Sequence, residues 1–145
     1  MVVASTSGKT ALKFAMALRE KAGIFCVSYE TVDPKNRKEL QDLGTPVIEK
    51  AKCVLSTPKT KTVRNAFYTL GQGFKVAIEC VLIATEKGML KPQEECIAVG
   101  GTGEGADTAI ICRATSIKEM FGKDFDKRLE IKEIVAIPRK KKWWE

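Results

Sequence analysis

The sequence predicts an α/β domain whose sheet is mostly parallel and carries helices on both faces. Apolar, β-branched segments alternate with helical segments through the first half of the chain. A short glycine-rich link joins two later strands, which indicates one antiparallel pair. The 145 residues suit one domain. We therefore expect a single domain over residues 1–138, followed by a basic, aromatic tail at 139–145.

The first half of the chain is predicted to run strand, helix, strand, helix, strand. Asp33 and Pro34 are a typical N-cap and first helical residue, and Gly23 and Gly44 are typical helix ends. The predicted elements are a strand at residues 2–5, a helix at 9–22, a strand at 24–29, a helix at 34–43 and a strand from 46, whose continuation through 53–55 is left open.

The second half is predicted to hold three helices and three strands. Thr57 and Pro58 indicate the start of a helix, and the segment at 74–87 is apolar on nearly every face, as expected of a deeply buried helix. Ser116 and Glu119 form a capping box that opens a short helix. The predicted strands lie at 95–99, 108–113 and 129–137.

Composition excludes several classes of enzyme. The chain has no histidine, so it can form no Ser-His-Asp triad, no Cys-His pair and no His-ligated zinc site. The five cysteines are widely spaced and form no CxxC motif, which indicates reduced, mostly buried thiols. We expect a soluble cytoplasmic protein without a metal site. No catalytic constellation is visible, so the catalytic residues and any enzymatic activity are left open.

The net charge of +7 raises the question of nucleic-acid binding. Residues 139–142 and Glu145 together contribute +3 of this charge, and the rest is spread among mixed charges. Trp143 and Trp144 could stack on bases or dock on the domain. Because no basic stripe is interleaved with aromatic residues, the sequence favours a solvated tail over a nucleic-acid site.

The first candidate site is a donor-rich loop between the first strand and the first helix. Its glycine lets an anion approach the backbone, and the free N–H groups of a helix start attract anions. A Walker A loop would need glycine where Val3 stands, so this is not a P-loop. The alternative is that Ser7 merely caps the helix. The predicted phosphate ligands are Ser5, Thr6, Ser7, Gly8, Lys9 and Thr10.

The second candidate site is a glycine-rich loop between two later strands. Its spacing formally fits a dinucleotide-binding fingerprint, but a strand rather than a helix follows, so that fingerprint is rejected. Close backbone approach to a ligand is still allowed, and a flexible hairpin is the alternative. The candidate residues are Gly100, Gly101, Thr102, Gly103, Gly105, Ala106, Asp107 and Thr108. The side chains of Asp107 and Thr108 are predicted to hydrogen-bond the ligand or the first loop; the alternative is a turn closing on its own backbone.

These two loops, in this order, resemble those of the C-terminal α/β domain of pyruvate kinase. The chain is more similar still to small stand-alone prokaryotic proteins built on that domain. The first loop resembles the Thr/Ser-rich loop that cradles a phosphate of the allosteric sugar bisphosphate, and the second resembles the glycine-rich effector loop. The resemblance spans nearly the whole chain and includes residues 2–5, 6–11, 71–76 with Glu79, 98–101, 105–109 and 133–139.

The resemblance implies a three-layer α/β/α sandwich with a mixed sheet of about five strands. It also implies that FMN binds in the crevice over the two loops, with Tyr29 and Glu79 as further candidate contacts. Pyruvate kinase activity is not implied, because its active site lies in another domain. The sequence therefore predicts a module that binds a phosphorylated small molecule, with a small FMN-dependent oxidoreductase as the alternative and nucleic-acid binding as a weaker one.

Glu79 is also interesting without the resemblance, because it lies on the predicted apolar helix. A buried carboxylate needs a partner. Lys75, one turn earlier, is the local candidate, and a group near the ligand crevice is the other.

The start of the chain predicts self-association. The stand-alone relatives carry a strand and a helix before the strand at 2–5, and here only Met1 precedes it. We therefore expect the first strand, at Val2 and Val3, to lack a neighbour on one side. The same is expected of the apolar side of the first helix, which carries Leu12, Phe14, Met16 and Leu18. We expect a homo-oligomer that uses the first helix or a sheet edge. The alternatives are a longer natural product, or coverage of that face by the tail.

Overall fold

The computed structural model describes residues 1–143, and Trp144 and Glu145 lie outside the described residues. Its centre is one sheet of six strands rather than about five. The strands are β1 (Val2–Ala4), β2 (Phe25–Val27), β3 (Val47–Ile48), β4 (Glu95–Gly100), β5 (Thr108–Arg113) and β6 (Glu130–Ala136). Their order across the sheet is β3-β2-β1-β4-β5-β6. The strands β1 to β4 pair in parallel with one another, whereas β5 pairs antiparallel with both β4 and β6. The predicted mixed, mostly parallel α/β sheet is confirmed.

Within residues 1–143, five α-helices connect or follow these strands. They are α1 (Lys9–Ala17), α2 (Pro34–Asp42), α3 (Lys61–Tyr68), α4 (Gln72–Glu86) and α5 (Ile117–Met120). Two predicted caps are present. The Asp33 carboxylate accepts from the N–H groups of Lys35 and Asn36, and the Ser116 hydroxyl accepts from Glu119 N–H. The carboxylate of Glu119 accepts from the Ser116 hydroxyl at 3.3 Å rather than from the Ser116 N–H of a full capping box. These caps depend only on local sequence, which explains why they were predictable.

Two helix boundaries differ from expectation, and the structure answers the question left open at residues 53–55. The first helix ends at Ala17 rather than Ala22, because Glu20 adopts a left-handed conformation with φ +64°. Thr57 does not cap the third helix directly. It forms a turn in which its carbonyl oxygen accepts from the N–H groups of Thr60 and Lys61, and the helix begins at Lys61. Residues 53–55 form a turn rather than a continuation of β3.

Helices cover the two faces of the sheet in separate layers. Val2 belongs to the hydrophobic cluster that contains α4, and Val3 belongs to the cluster that contains α1 and α2. This alternation follows from the two-residue period of a strand. The helix α4 is buried along almost its whole length, as its all-round apolar sequence predicted. The three-layer α/β/α arrangement is the result.

The expectation that Val2 and Val3 lack a neighbour is wrong. Both side chains are fully buried, because β1 is a central strand between β2 and β4. On α1, Met16 is exposed, while Leu12, Phe14 and Leu18 are half-buried and pack against the cluster. Within residues 1–143, no helix is long and apolar enough to span a membrane.

Candidate functional site

The two candidate loops leave the sheet side by side. The strands β1 and β4 are parallel neighbours with Val3 opposite Val99, so continuing this register places Ser5 opposite Gly101. Adjacent strands lie roughly 4.8 Å apart. The chain leaves β1 toward α1 on one face, while α4 precedes β4 on the other face. This is a topological switch point, where open α/β sheets bind ligands beyond the carboxyl ends of their strands.

The first loop is held by its carbonyl groups. The carbonyl oxygen of Thr6 accepts from Ser28 Oγ at 3.1 Å, and that of Ser7 accepts from Asn36 Nδ2 at 2.8 Å. The Ser5 hydroxyl accepts from Thr10 N–H at 3.1 Å, whereas no side-chain cap comes from Gly8, the N-cap residue. The alternative that Ser7 caps the helix is therefore wrong, and Ser5 satisfies one N–H of the first turn instead.

Half of the N–H groups of residues 5–10 remain available, and so does that of Ala11 in the first turn of α1. The backbone N–H groups of Thr6, Ser7, Lys9 and Ala11 donate to no acceptor within residues 1–143. Lys9 is exposed, and its ammonium group makes no ion pair in that part of the chain. Four free donors, one cation and the positive end of the α1 dipole therefore meet at one place, which is the arrangement that binds phosphate in many proteins.

Gly8 has a packing role that the sequence did not reveal. Its φ is +85°, and an added Cβ would lie 2.7 Å from Val32 Cγ1 and 3.0 Å from Asn36 Cβ. A side chain there would force α1 and the segment leading into α2 apart, besides adopting a disfavoured conformation. Contact of Gly8 with α2 therefore explains this glycine without any ligand.

The second loop joins β4 to β5, as the strand-loop-strand prediction required. Gly100 and Thr108 face each other at its base, and Asp107 N–H donates to the Gly100 carbonyl oxygen at 3.0 Å. Gly101 and Thr102 are half-buried, while residues 103–106 form an exposed tip. An added Cβ at Gly100 would collide with the carbonyl oxygen of Gly73, so the amino end of α4 lies directly against the end of β4.

Asp107 and Thr108 contact α4 rather than the first loop. Thr108 Oγ1 donates to Asp107 Oδ1 at 2.7 Å, and both atoms lie where a Cβ of Gly73 would be. No hydrogen bond joins either side chain to residues 5–10 in the described chain. The predicted tie to the first loop is therefore not formed, and contact with the ligand stays a prediction.

The amino end of α4 is a second part of the site that the sequence analysis missed. Its N-cap residue Gly71 supplies no side-chain bond, and the N–H groups of Gln72, Gly73 and Phe74 have no acceptor among residues 1–143. Gln72 Oε1 is buried without a hydrogen-bond partner there. The available signal was the Gly-Gln-Gly start of an apolar helix, because glycines permit close approach of two backbones.

The tail reaches the same region. Trp143 Nε1 donates to the carbonyl oxygen of Tyr68 at 2.7 Å, and the aliphatic part of Lys141 lies 3.3 Å from where a Cβ of Gly71 would be. Lys141 Nζ donates to the Pro138 carbonyl oxygen at 2.5 Å. Trp143 thus docks on its own domain across the α3–α4 junction rather than on α1. Lys141 adds a cation beside the amino end of α4, which the sequence analysis did not include in the site.

The two further candidates, Tyr29 and Glu79, have different surroundings. Tyr29 follows β2 at the carboxyl edge and is 62% exposed. Glu79 is buried, and its Oε2 accepts from Lys75 Nζ at 2.8 Å while its Oε1 accepts from Leu55 N–H at 3.1 Å. This pairing agrees with the local ion-pair alternative, since both carboxylate oxygens are engaged by the protein.

Two concavities, of about 440 and 410 Å³, lie away from the crevice and are lined by residues outside both loops. The larger one lies at the amino ends of the central strands, opposite the crevice, beside Glu94–Ile97. No known family model matches this chain. The resemblance to the pyruvate kinase C-terminal domain therefore stays a prediction from the sequence motifs.

Proposed function

We propose that this protein binds a phosphorylated small molecule, FMN in the first instance, in the crevice between residues 5–10 and 100–108. One observation carries the proposal: the amino ends of α1 and α4 lie at the carboxyl ends of the parallel neighbours β1 and β4. Both ends have unused N–H groups within residues 1–143. The resemblance of both loops to the effector site of pyruvate kinase supports the same location.

The phosphate group belongs at the first loop. Four free N–H groups and the Lys9 ammonium group lie there, whereas the carboxylate of Asp107 lies beside the amino end of α4. A carboxylate repels a phosphate dianion, so the two helix ends are electrostatically different. The phosphate is accordingly expected over residues 6–11.

The second loop and α4 suit the hydroxyl groups of the ligand. A carboxylate only accepts hydrogen bonds, and Asp107 already accepts one from Thr108 at 2.7 Å. Its remaining lone pairs, together with the N–H groups of Gln72 and Gly73, fit a polyol such as the ribityl chain of FMN. A ligand that runs from residues 6–11 toward Asp107 crosses from β1 to β4, so its ring lies away from Tyr29, which follows β2.

A comparison of FMN with riboflavin tests the proposal, because the two differ only in the phosphate. Titration with either flavin, followed by flavin fluorescence, should give at least tenfold tighter binding of FMN, or about 1.4 kcal/mol. The substitution Lys9→Glu should remove most of that difference. Lys13→Glu, one turn further along α1 and also exposed, introduces the same charge change outside the loop and serves as the matched control.

Several results would contradict the proposal. Equal affinity for FMN and riboflavin would exclude a phosphate site, and equal effects of Lys9→Glu and Lys13→Glu would show only a general charge effect. Binding of neither flavin, with binding of a sugar bisphosphate that depends on Lys9, would keep the phosphate site and exclude FMN. Substrate-dependent reoxidation of photoreduced, protein-bound flavin would instead establish the oxidoreductase alternative.

A further inference from the structure

Two cysteines face each other across the antiparallel pair β4–β5. Cys96 and Cys112 are register partners, and their sulfur atoms lie 3.7 Å apart. The sequence separates them by sixteen residues, so the pattern of cysteines alone gave no sign of the pair. The other three cysteines are at Cys26, Cys53 and Cys80, and only Cys53 among the five is exposed.

The backbone geometry already suits a disulfide bond. Facing residues in antiparallel strands have Cα atoms roughly 4.5 or 5.5 Å apart, and both distances fall within the range seen in disulfides. The sulfur atoms need to approach by less than 2 Å to reach a bond length of about 2.05 Å. Side-chain rotation can supply such a movement without shifting the strands.

The pair is asymmetric, with one reachable sulfur and one enclosed sulfur. Cys96 lines the concavity of about 440 Å³ beside Glu94, Glu95 and Ile97, whereas Cys112 is fully buried. A small uncharged oxidant can therefore meet Cys96 first and has no direct route to Cys112.

The pKa values of the two thiols also distinguish Cys96 from Cys112. The hydrogen bond between the two thiols lowers the pKa of Cys96 and raises that of Cys112. Burial raises the pKa of Cys26 to about 12 and also raises that of Cys80. A thiolate is the reactive form of cysteine, so Cys96 is the best nucleophile among the four buried thiols.

We propose that Cys96 and Cys112 form a redox-active dithiol that a peroxide oxidises reversibly to an intramolecular disulfide. The Cys96 thiolate attacks one peroxide oxygen, the O–O bond breaks, and the leaving hydroxide takes a proton to become water. The resulting sulfenic acid is attacked by the Cys112 sulfur, which forms the S–S bond and releases a second water with the Cys112 proton. Two thiols and one hydrogen peroxide thus give one disulfide and two waters, and two electrons pass from sulfur to oxygen. A low-molecular-weight thiol restores the dithiol by exchange.

The test uses the full chain with Cys53→Ser, which removes the exposed thiol and leaves four cysteines. Stoichiometric hydrogen peroxide should halve the free thiols, measured after denaturation, from four to two. Mass spectrometry of the intact, non-reduced protein should show the loss of two hydrogen atoms, and peptide mapping should link residue 96 to residue 112. Dithiothreitol should restore all four thiols.

Two further variants, each made on the Cys53→Ser background, separate this pair from the other thiols. With Cys26→Ala added, the loss of two thiols should persist; with Cys96→Ala added, all three remaining thiols should survive the same treatment, with circular dichroism confirming the fold. Retention of four thiols by the Cys53→Ser protein, or linkage of any other pair of cysteines, would overturn the proposal. Neither outcome depends on flavin binding, so this result is independent of the proposed function.

Discussion

At the scale of single residues, a buried ion pair fastens a loop to the central helix. Lys75 and Glu79 are both more than nine-tenths buried and bond each other at 2.8 Å, while the second Glu79 oxygen accepts from the backbone of Leu55. Leu55 is fully buried, in a turn with no regular secondary structure. The carboxylate therefore anchors this turn to α4 and also compensates the charge of Lys75.

Removing one charge of this pair should destabilise the protein strongly. Glu79→Gln can keep the bond to Leu55 but leaves the Lys75 ammonium group buried without a counter-charge, which typically costs about 3–5 kcal/mol. The double substitution Glu79→Gln with Lys75→Met removes both charges and should recover most of that loss. Urea unfolding of the three proteins measures the effect.

The same single and double variants also separate a structural role of Glu79 from a role in ligand binding. If both variants bind FMN as the parent does, once corrected for the fraction folded, Glu79 has only the structural role. A single-variant loss below 1 kcal/mol would contradict the buried-charge interpretation.

At the scale of elements, the close approach of α4 to β4 sets the shape of the crevice. Gly73 and Gly100 bring two backbones together, and the side chains of Asp107 and Thr108 occupy the space beside Gly73. A methyl group there would push the amino end of α4 away from the glycine-rich loop.

Gly73→Ala should therefore cost about 1–3 kcal/mol by overpacking. Gly23→Ala is the matched control, because an added Cβ at Gly23 meets no atom within 4 Å and its φ is not in the left-handed region. Thermal unfolding should show a clear loss for the first variant and a change within about 0.5 kcal/mol for the second. A neutral Gly73→Ala variant would mean that the crevice adapts readily.

Element by element, the sequence predicted what local patterns determine and missed what distant contacts determine. The caps at Asp33 and Ser116, the buried α4 and the strand following the glycine-rich loop each follow from a few neighbouring residues. The early end of α1 at Ala17 depends on one left-handed residue, for which glutamate gives no signal.

In the candidate site, too, the sequence predicted the local features and missed those that depend on distant contacts. Its two loops were predictable because each directly follows a strand. The amino end of α4 and Lys141 were not, because they reach the crevice only through the packing of α4 on β4 and the course of the tail.

At the scale of the whole molecule, the sheet ends at two outer strands, β3 and β6, which have no further strand beside them within residues 1–143. The strand β6 is the last in the sheet order, and Ile134 and Val135 on it are exposed. Antiparallel pairing with β6 of a second copy would continue the sheet and place apolar side chains of the two copies side by side.

We therefore expect a homodimer through β6, rather than through the first helix. Light scattering at micromolar concentration should give twice the monomer mass of 16.0 kDa. Val135→Lys should yield monomers, because it places a charge at the open edge. Met16→Lys, on the exposed face of α1, should leave the dimer intact.

This assignment has two distinct ways to fail. A monomeric parent protein would remove the expectation of self-association altogether. Dissociation by Met16→Lys, with no effect of Val135→Lys, would move the interface to α1.

The central position of β1 has a consequence for synthesis on the ribosome. Its two partners are made at very different times: β2 follows after about twenty residues, whereas β4 follows after about ninety. At the usual roughly 5–20 residues per second, one side of β1 waits roughly 5–20 s for its partner. During that time its backbone donors and the apolar residues Val2 and Val3 are available to chaperones or to neighbouring nascent chains. Slow translation before residue 95 should thus raise aggregation more than an equal pause after residue 113.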